Sequence, residues 1–165
     1  MIQHHPTRRR MLGWLGAGAA ASFGLAFAAP VSAAAGKFRI SYSDAEWHKR
    51  LTAEEYAVLR EEATERAFTS PLNDEHRKGM FVCAGCANHL YSSETKFNSG
   101  TGWPSFWKSE TGAVGYSVDH KLGYARTEVH CADCGGHLGH VFDDGPRPTG
   151  KRHCINGLAL DFKPA

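Results

Sequence analysis

The sequence predicts a mainly β domain with short helices at its start, and three observations predict it. From Met80 onward the apolar runs are short. Several alternate apolar with polar residues, and Gly-containing turns separate them, the pattern of an antiparallel meander. Ahead of that region, Ser43-x-x-Glu46 and Thr52-x-x-Glu55 each have the form of a capping box, which opens a helix by satisfying its first backbone amides. Finally, four of the five cysteines fall into two C-x-x-C pairs, Cys83/Cys86 and Cys131/Cys134. Two such pairs have the spacing of a tetrahedral structural zinc site, one ion per chain.

The elements follow in order. Residues 1–33 read as a cleavable export signal. Arg8-Arg9-Arg10 precedes an uncharged, Gly- and Ala-rich apolar stretch from Met11 to Phe27, and small residues follow at Pro30-Val31-Ser32-Ala33. Thr7-Arg8-Arg9-Arg10-Met11-Leu12 is of the twin-arginine type, a receptor-read address. Cleavage is expected after Ala33 or Ala35, and the mature protein is expected outside the cytoplasm, in the periplasm. The apolar stretch is short and weakly hydrophobic for a membrane span. Residues 34–43 read as a tether, and residues 44–165 as the domain. The first capping box opens a turn carrying Trp47. The second opens a helix over about 53–64, with Tyr56, Leu59 and Ala63 on one face. Ser70-Pro71 ends this region. Strands are expected around Met80–Val82, His89–Tyr91, Gly115–Val118, Ala125–Val129, Leu138–Phe142 and Leu158–Phe162.

The charge balance limits the partners. Without the three arginines of the leader, 16 of the 19 basic residues remain against 17 acidic ones, a net of −1. The mature domain has no basic excess for nucleic acid. Its thiols would meet an oxidising compartment, where an odd cysteine count marks a reactive thiol or an intermolecular bond.

The two pairs differ in quality as zinc knuckles. Cys131-Ala-Asp-Cys134-Gly135-Gly136 has small residues after the second cysteine, which let backbone amides point at the sulfurs. Cys83-Ala-Gly-Cys86-Ala87-Asn88 has Ala87 in that place. The 44 residues between the pairs mean that the site would staple distant parts of the chain. Two disulfides, or one pair acting as a redox C-x-x-C, remain open alternatives.

Cys154 stands apart in Arg152-His153-Cys154-Ile155-Asn156. On a strand, Arg152 shares its face and would favour the thiolate, while a lone cysteine can equally be a small buried hydrophobe. His137 and His140 are candidates for acid–base work, with Asp143 and Asp144 as nearby carboxylates; a second metal site or knuckle support is the alternative. The loop Gly102-Trp103-Pro104-Ser105-Phe106-Trp107 concentrates aromatics that would either cover the core or wall a pocket.

Taken together, the residues resemble the B-type methionine sulfoxide reductases over about Trp47 to Phe162. The resemblance rests on Lys96-Phe97-Asn98-Ser99-Gly100-Thr101-Gly102-Trp103-Pro104-Ser105-Phe106, on Cys131-x-x-Cys134-Gly135-Gly136-His137-Leu138-Gly139-His140-Val141-Phe142, and on Arg152-His153-Cys154-Ile155-Asn156. It implies two small antiparallel sheets with the N-terminal helices packed outside. It implies reduction of methionine (R)-sulfoxide in oxidised proteins, with Cys154 as nucleophile. Trp103 and Phe142 would hold the S-methyl group. His140 would serve the sulfoxide oxygen, with His137 beside it and Asp144 in support, and Asn156 would help set the pocket.

Two departures follow from that resemblance. Thr101 stands where many members carry a resolving cysteine, so the oxidised Cys154 is expected to be reduced by an external thiol or a thioredoxin-like protein. Gly157 stands where a Ser often follows the Asn, and is expected to loosen the loop after Cys154. A monomer is expected. The rival readings are a non-catalytic exported zinc-ribbon binding module and an exported thiol–disulfide oxidoreductase.

Overall fold

The structure, a computed structural model, describes residues 38–165; the expected export signal over 1–33 lies outside the described residues. The end of the expected tether is not free. Ile40 N–H donates to the Asp133 carbonyl (2.8 Å), Arg39 Nε donates to Asp133 Oδ1 (3.1 Å), and the Phe38 ring meets His130 edge-on. Residues 38–40 thus lie against the second knuckle.

Helices α1 (Asp44–Arg50) and α2 (Ala53–Glu61) start where the capping boxes place them. At α1 the Glu46 carboxylate accepts from Ser43 N–H (2.9 Å). At α2 the exchange is reciprocal: Thr52 N–H donates to Glu55 Oε2 (2.8 Å) and Glu55 N–H donates to Thr52 Oγ1 (3.2 Å). Helix α2 stops short of the expected residue 64. Glu62 takes a left-handed conformation (φ 57°) and its N–H closes on the Ala57 carbonyl. Val58 and Leu59 of α2 and Trp47 of α1 are buried in the core.

Among the described residues nine strands follow: β1 (Gly79–Cys83), β2 (His89–Ser92), β3 (Lys96–Phe97), β4 (Ser105–Phe106), β5 (Val114–Asp119), β6 (Arg126–Cys131), β7 (His137–Phe142), β8 (Arg152–Ile155) and β9 (Leu160–Pro164). They form two antiparallel sheets, a three-stranded one in the order β2-β1-β9 and a six-stranded one in the order β3-β4-β8-β7-β6-β5. The six expected strands are all present. Strands β3 and β4, at two residues each, are too short to show an alternation, and β8 was expected only conditionally.

The core is one apolar cluster, in which Phe81, Leu90 and Tyr91 of the smaller sheet join Phe106, Val129, Leu138 and Ile155 of the larger. Tyr91 stacks on Phe106 at 4.4 Å between ring centroids, and Phe81 meets Phe106 edge-on at 4.9 Å. Burial of this kind is the main favourable term in folding. It places β8 in the interior of the larger sheet, with both edges paired.

Candidate active site

The metal centre is built at strand ends. Cys83 ends β1 and Cys131 ends β6, and each is followed by a tight turn that returns a second thiol. The four sulfurs lie within 4.8 Å of one another, with Cys83 Sγ 3.7 Å from Cys134 Sγ and Cys86 Sγ 3.6 Å from Cys131 Sγ. A tetrahedron with zinc–sulfur bonds of about 2.3 Å has edges of about 3.8 Å, so the donor set fits that ion. Separations of this size are also far beyond a disulfide bond. Three of the four cysteines are buried, and thiolates packed so closely need a cation among them. Asn88 Nδ2 donates to Cys131 Sγ (3.5 Å), and Arg60 donates to the Cys134 carbonyl (3.1 Å). Four protein ligands leave no open position, so the centre is structural.

The difference between the knuckles has a backbone cause. The residue after the second cysteine is left-handed in both, at Gly135 (φ 69°) and Ala87 (φ 60°). At Gly135 a side chain would also run into the Phe38 ring, with 2.2 Å from an added Cβ to its nearest atom. Ala87 bears the same backbone shape with a Cβ, at a cost of about 1–2 kcal/mol.

Cys154 lies elsewhere, in the middle of the larger sheet. In register it faces Ser105 on β4 and His140 on β7. It opens into a cleft lined by Trp103, His140, Phe142, Asn156, Arg126 and Thr64. Of the residues expected at the site, Trp103, His140, Phe142, Cys154 and Asn156 meet there. Trp103 is fixed by its indole N–H, which donates to the Glu65 carbonyl (3.1 Å). Asn156 is held at both ends of its amide: Nδ2 donates to the Leu138 carbonyl (3.0 Å), and Oδ1 accepts from Glu65 N–H (3.0 Å).

The two histidines differ. His140 Nε2 is 2.8 Å from Asp119 Oδ2 and so donates to that carboxylate. Burial pushes the His140 pKa down and the bond to Asp119 pulls it up, with burial the larger. His137 is buried behind it with Nδ1 2.7 Å from Glu128 Oε1, and its Nε2 has no partner among the described residues. The bond to His137 holds the Glu128 carboxyl well below its usual range, at about 2. The rings of His137 and His140 meet edge-on at 5.4 Å.

Asp144 is a correction. It was expected to support the histidines, but it binds Arg152 through two bonds, Nε to Oδ1 and the terminal nitrogen to Oδ2, both 2.8 Å. Asp144 sits on the turn after β7, opposite the first residue of β8, while the carboxylates that serve the histidines come from β5 and β6. Arg152 also lies over the Phe142 ring at 4.5 Å, so it orients that wall of the cleft. Its expected effect on Cys154 is only part of the balance. Burial pushes the thiol up, and the Thr101 hydroxyl and then Arg152 pull it down.

Sequence reasoning missed Asp119, Arg126, Glu128 and Glu65. Arg126 and Glu128 alternate on β6, which is a signal that they share a face. Nothing local says that this face meets β7 histidines, because strand register is a long-range property. The expectation that Gly157 loosens its loop is also corrected. Gly157 N–H and Leu158 N–H donate to the two oxygens of Glu65 (2.5 and 3.0 Å), and Ser70 Oγ lies 1.9 Å from where a Cβ of residue 157 would be. The loop is pinned, and Ser70 fills the space that a side chain would take.

The SelR domain family matches residues 51–164. A peptide methionine sulfoxide reductase MsrB of Leifsonia xyli subsp. xyli is 52% identical over 136 residues, covering 81% of this chain and 98% of that protein. Proteins of the same name from Leptospira interrogans and Agrobacterium fabrum are each 50% identical over 127 residues, 76% of this chain and 97% and 94% of theirs.

Proposed function

This chain belongs to the B-type methionine sulfoxide reductases, and from that premise we propose that it reduces methionine (R)-sulfoxide in oxidised proteins, with Cys154 as the nucleophile. The observation that carries the reading is the cleft itself, where the one thiol outside the metal cluster lies between an aromatic wall and a hydrogen-bonded histidine. Trp103 and Phe142 offer an apolar seat for the S-methyl group. His140 faces the polar oxygen. Opposed apolar and donor walls of this kind distinguish methyl from oxygen, and so one epimer from the other. The R assignment follows the family.

Each step balances. The Cys154 thiolate attacks the sulfoxide sulfur as a proton reaches the oxygen. This forms a sulfur–sulfur bond. A second proton lets the oxygen leave as water. A water then attacks Cys154 Sγ, which breaks the sulfur–sulfur bond, releases methionine and a proton, and leaves a sulfenic acid on Cys154. Positioned acid assistance of this type is worth roughly 10²–10⁴-fold. Asp119 holds the His140 ring through Nε2 and stabilises positive charge on it. An external thiol then condenses with the sulfenic acid, releasing water and forming a mixed disulfide. A second thiol equivalent displaces it, returning the Cys154 thiol. No resolving thiol stands near: the hydroxyl of Thr101 is 3.9 Å from Cys154 Sγ, and the other four cysteines hold the metal. Zinc bound by Cys83, Cys86, Cys131 and Cys134 ties β1 to β6 and has no part in these steps.

We further read the protein as a monomer exported by a twin-arginine route to the periplasm, supported by Arg8-Arg9-Arg10 and the apolar stretch after it. Fractionating cells with the route blocked tests this, since assembled protein outside the cytoplasm would oppose it. The catalytic reading is tested with a peptide carrying racemic methionine sulfoxide, excess dithiothreitol and separation of the epimers. Loss of the R epimer alone, abolished by Cys154→Ser, is the expected result. Folded, zinc-loaded protein without turnover would favour a binding module instead.

A further inference from the structure

We propose that Thr101, Ser99 and Ser105 form a chain of hydroxyls that ends on the Cys154 sulfur and reverses its direction with the protonation state of that sulfur. The inference rests on Cys154 being the reactive thiol. It goes beyond that reading by giving Thr101 a direct role at the sulfur, and Ser99 and Ser105 a positioning role through Thr101.

The geometry is continuous. Thr101 Oγ1 lies 3.9 Å from Cys154 Sγ, Ser99 Oγ lies 2.8 Å from Thr101 Oγ1, and Ser105 Oγ lies 2.7 Å from Ser99 Oγ. Ser105 Oγ is also 3.1 Å from the Trp103 carbonyl, which can only accept. Two features hold the chain in place. Thr101 N–H donates to Ser99 Oγ (3.4 Å), and Ser105, 1% exposed, is paired directly across from Cys154 between β4 and β8. A hydroxyl gives one proton and accepts others, so a run of three can be polarised in either direction. When Cys154 is a thiol, S–H donates to Thr101, Thr101 to Ser99, Ser99 to Ser105, and Ser105 to the Trp103 carbonyl. When Cys154 is a thiolate, the three O–H bonds rotate. Ser105 then donates to Ser99, Ser99 to Thr101, and Thr101 to the sulfur. No heavy atom moves, and no proton changes owner along the chain.

The charged groups around Cys154 explain why such a donor matters. Arg152 precedes it on β8, and Arg126 and His140 line the cleft from β6 and β7. Each is already engaged: Arg152 by Asp144, and Arg126 and His140 by Asp119. Paired with carboxylates, these groups give the sulfur less than free cations would. The Thr101 hydroxyl is the neutral donor left for it, and at this part-buried contact its bond is strengthened when Ser99 and Ser105 polarise it from behind.

The test is the pH dependence of Cys154 alkylation by iodoacetamide in the full, zinc-loaded chain, read at Cys154 alone by peptide mapping. Thr101→Val should raise the apparent pKa by about one unit, which slows alkylation about tenfold near neutral pH. Thr101→Ser should restore it. Ser99→Ala and Ser105→Ala should shift it the same way by less, with Ser99→Thr behaving as the parent. Thermal unfolding of each variant separates a damaged fold from a shifted thiol. An unchanged titration in Thr101→Val overturns the proposal. A shift in Thr101→Val with none in either serine variant overturns the chain and leaves a single hydrogen bond. Because alkylation needs no turnover, it stands apart from the catalytic reading: if Cys154→Ser still reduced sulfoxide, the nucleophile assignment would fail while the thiol titration still reported on the hydroxyls.

Discussion

Cys131 ends strand β6 and Cys154 lies within β8, two strands away in the same sheet. Both are cysteines on short strands that pack against the same core. Around Cys131 stand three more thiols within 4.8 Å and the amide of Asn88. Around Cys154 stand a hydroxyl, a histidine bound to a carboxylate, and an aromatic wall open to solvent. The first set can only gather a cation. The second can present one sulfur to a substrate and leave it nothing internal to pair with. What a thiol does is decided by what the sheet brings beside it.

The sharpest way to break that contrast is to exchange the losses. Cys134→Ser should release the zinc and lower the unfolding free energy by several kcal/mol or more, on the order expected when a structural metal site is lost. Cys154→Ser should keep the zinc and change stability by less than about 1 kcal/mol. Zinc content and urea unfolding of the two variants decide it; equal destabilisation would mean that Cys154 is also structural.

The two faces of β8 sharpen the contrast further. His153 adjoins Cys154 but turns into the core, where its Nδ1 lies 3.1 Å from the Tyr91 hydroxyl oxygen and it is 5% exposed. Burial pushes its pKa from the ordinary 6.5 down to about 4. The unfolded chain therefore takes up this proton before the folded one. Stability from His153 is full above pH 6.5, falls as the pH drops towards 4, and is level below. The loss should reach about 3 kcal/mol. Urea unfolding at pH 7.5 and 4.5 should show it in the parent and not in His153→Gln, and the same fall in both would assign it to another group.

The mildest perturbation leaves both cysteines alone. Asp119→Asn removes the carboxylate that raises the His140 pKa. Turnover should fall roughly 10–100-fold, and the alkaline limb of the pH–rate profile should move to lower pH, with zinc content unchanged. A profile that does not move would remove Asp119 from the proton chemistry.

Much of this contrast was legible in the chain. The C-x-x-C spacing set Cys83, Cys86, Cys131 and Cys134 apart from Cys154, and the capping boxes at Ser43 and Thr52 marked both helix starts. Strand alternation marked six of the nine strands. Strands β3 and β4 were not legible, because two-residue strands exist only through their partners. The site was legible where its residues lie close along the chain, as in Arg152, Cys154 and Asn156. It was illegible where register decides. Asp144 is four residues from His140 in sequence yet pairs with Arg152, while Asp119, 21 residues away, reaches His140 across the sheet.

The central claim is that four thiols serve the fold and one serves the chemistry. A single turnover without reductant tests it most directly. Excess methionine (R)-sulfoxide peptide is mixed with reduced, zinc-loaded protein, the reaction is trapped with dimedone, and the cysteines are mapped while zinc is measured. The account predicts one methionine formed per chain, the dimedone adduct on Cys154 alone, and zinc retained. A disulfide joining Cys154 to one of the four metal cysteines, with zinc released, would contradict it.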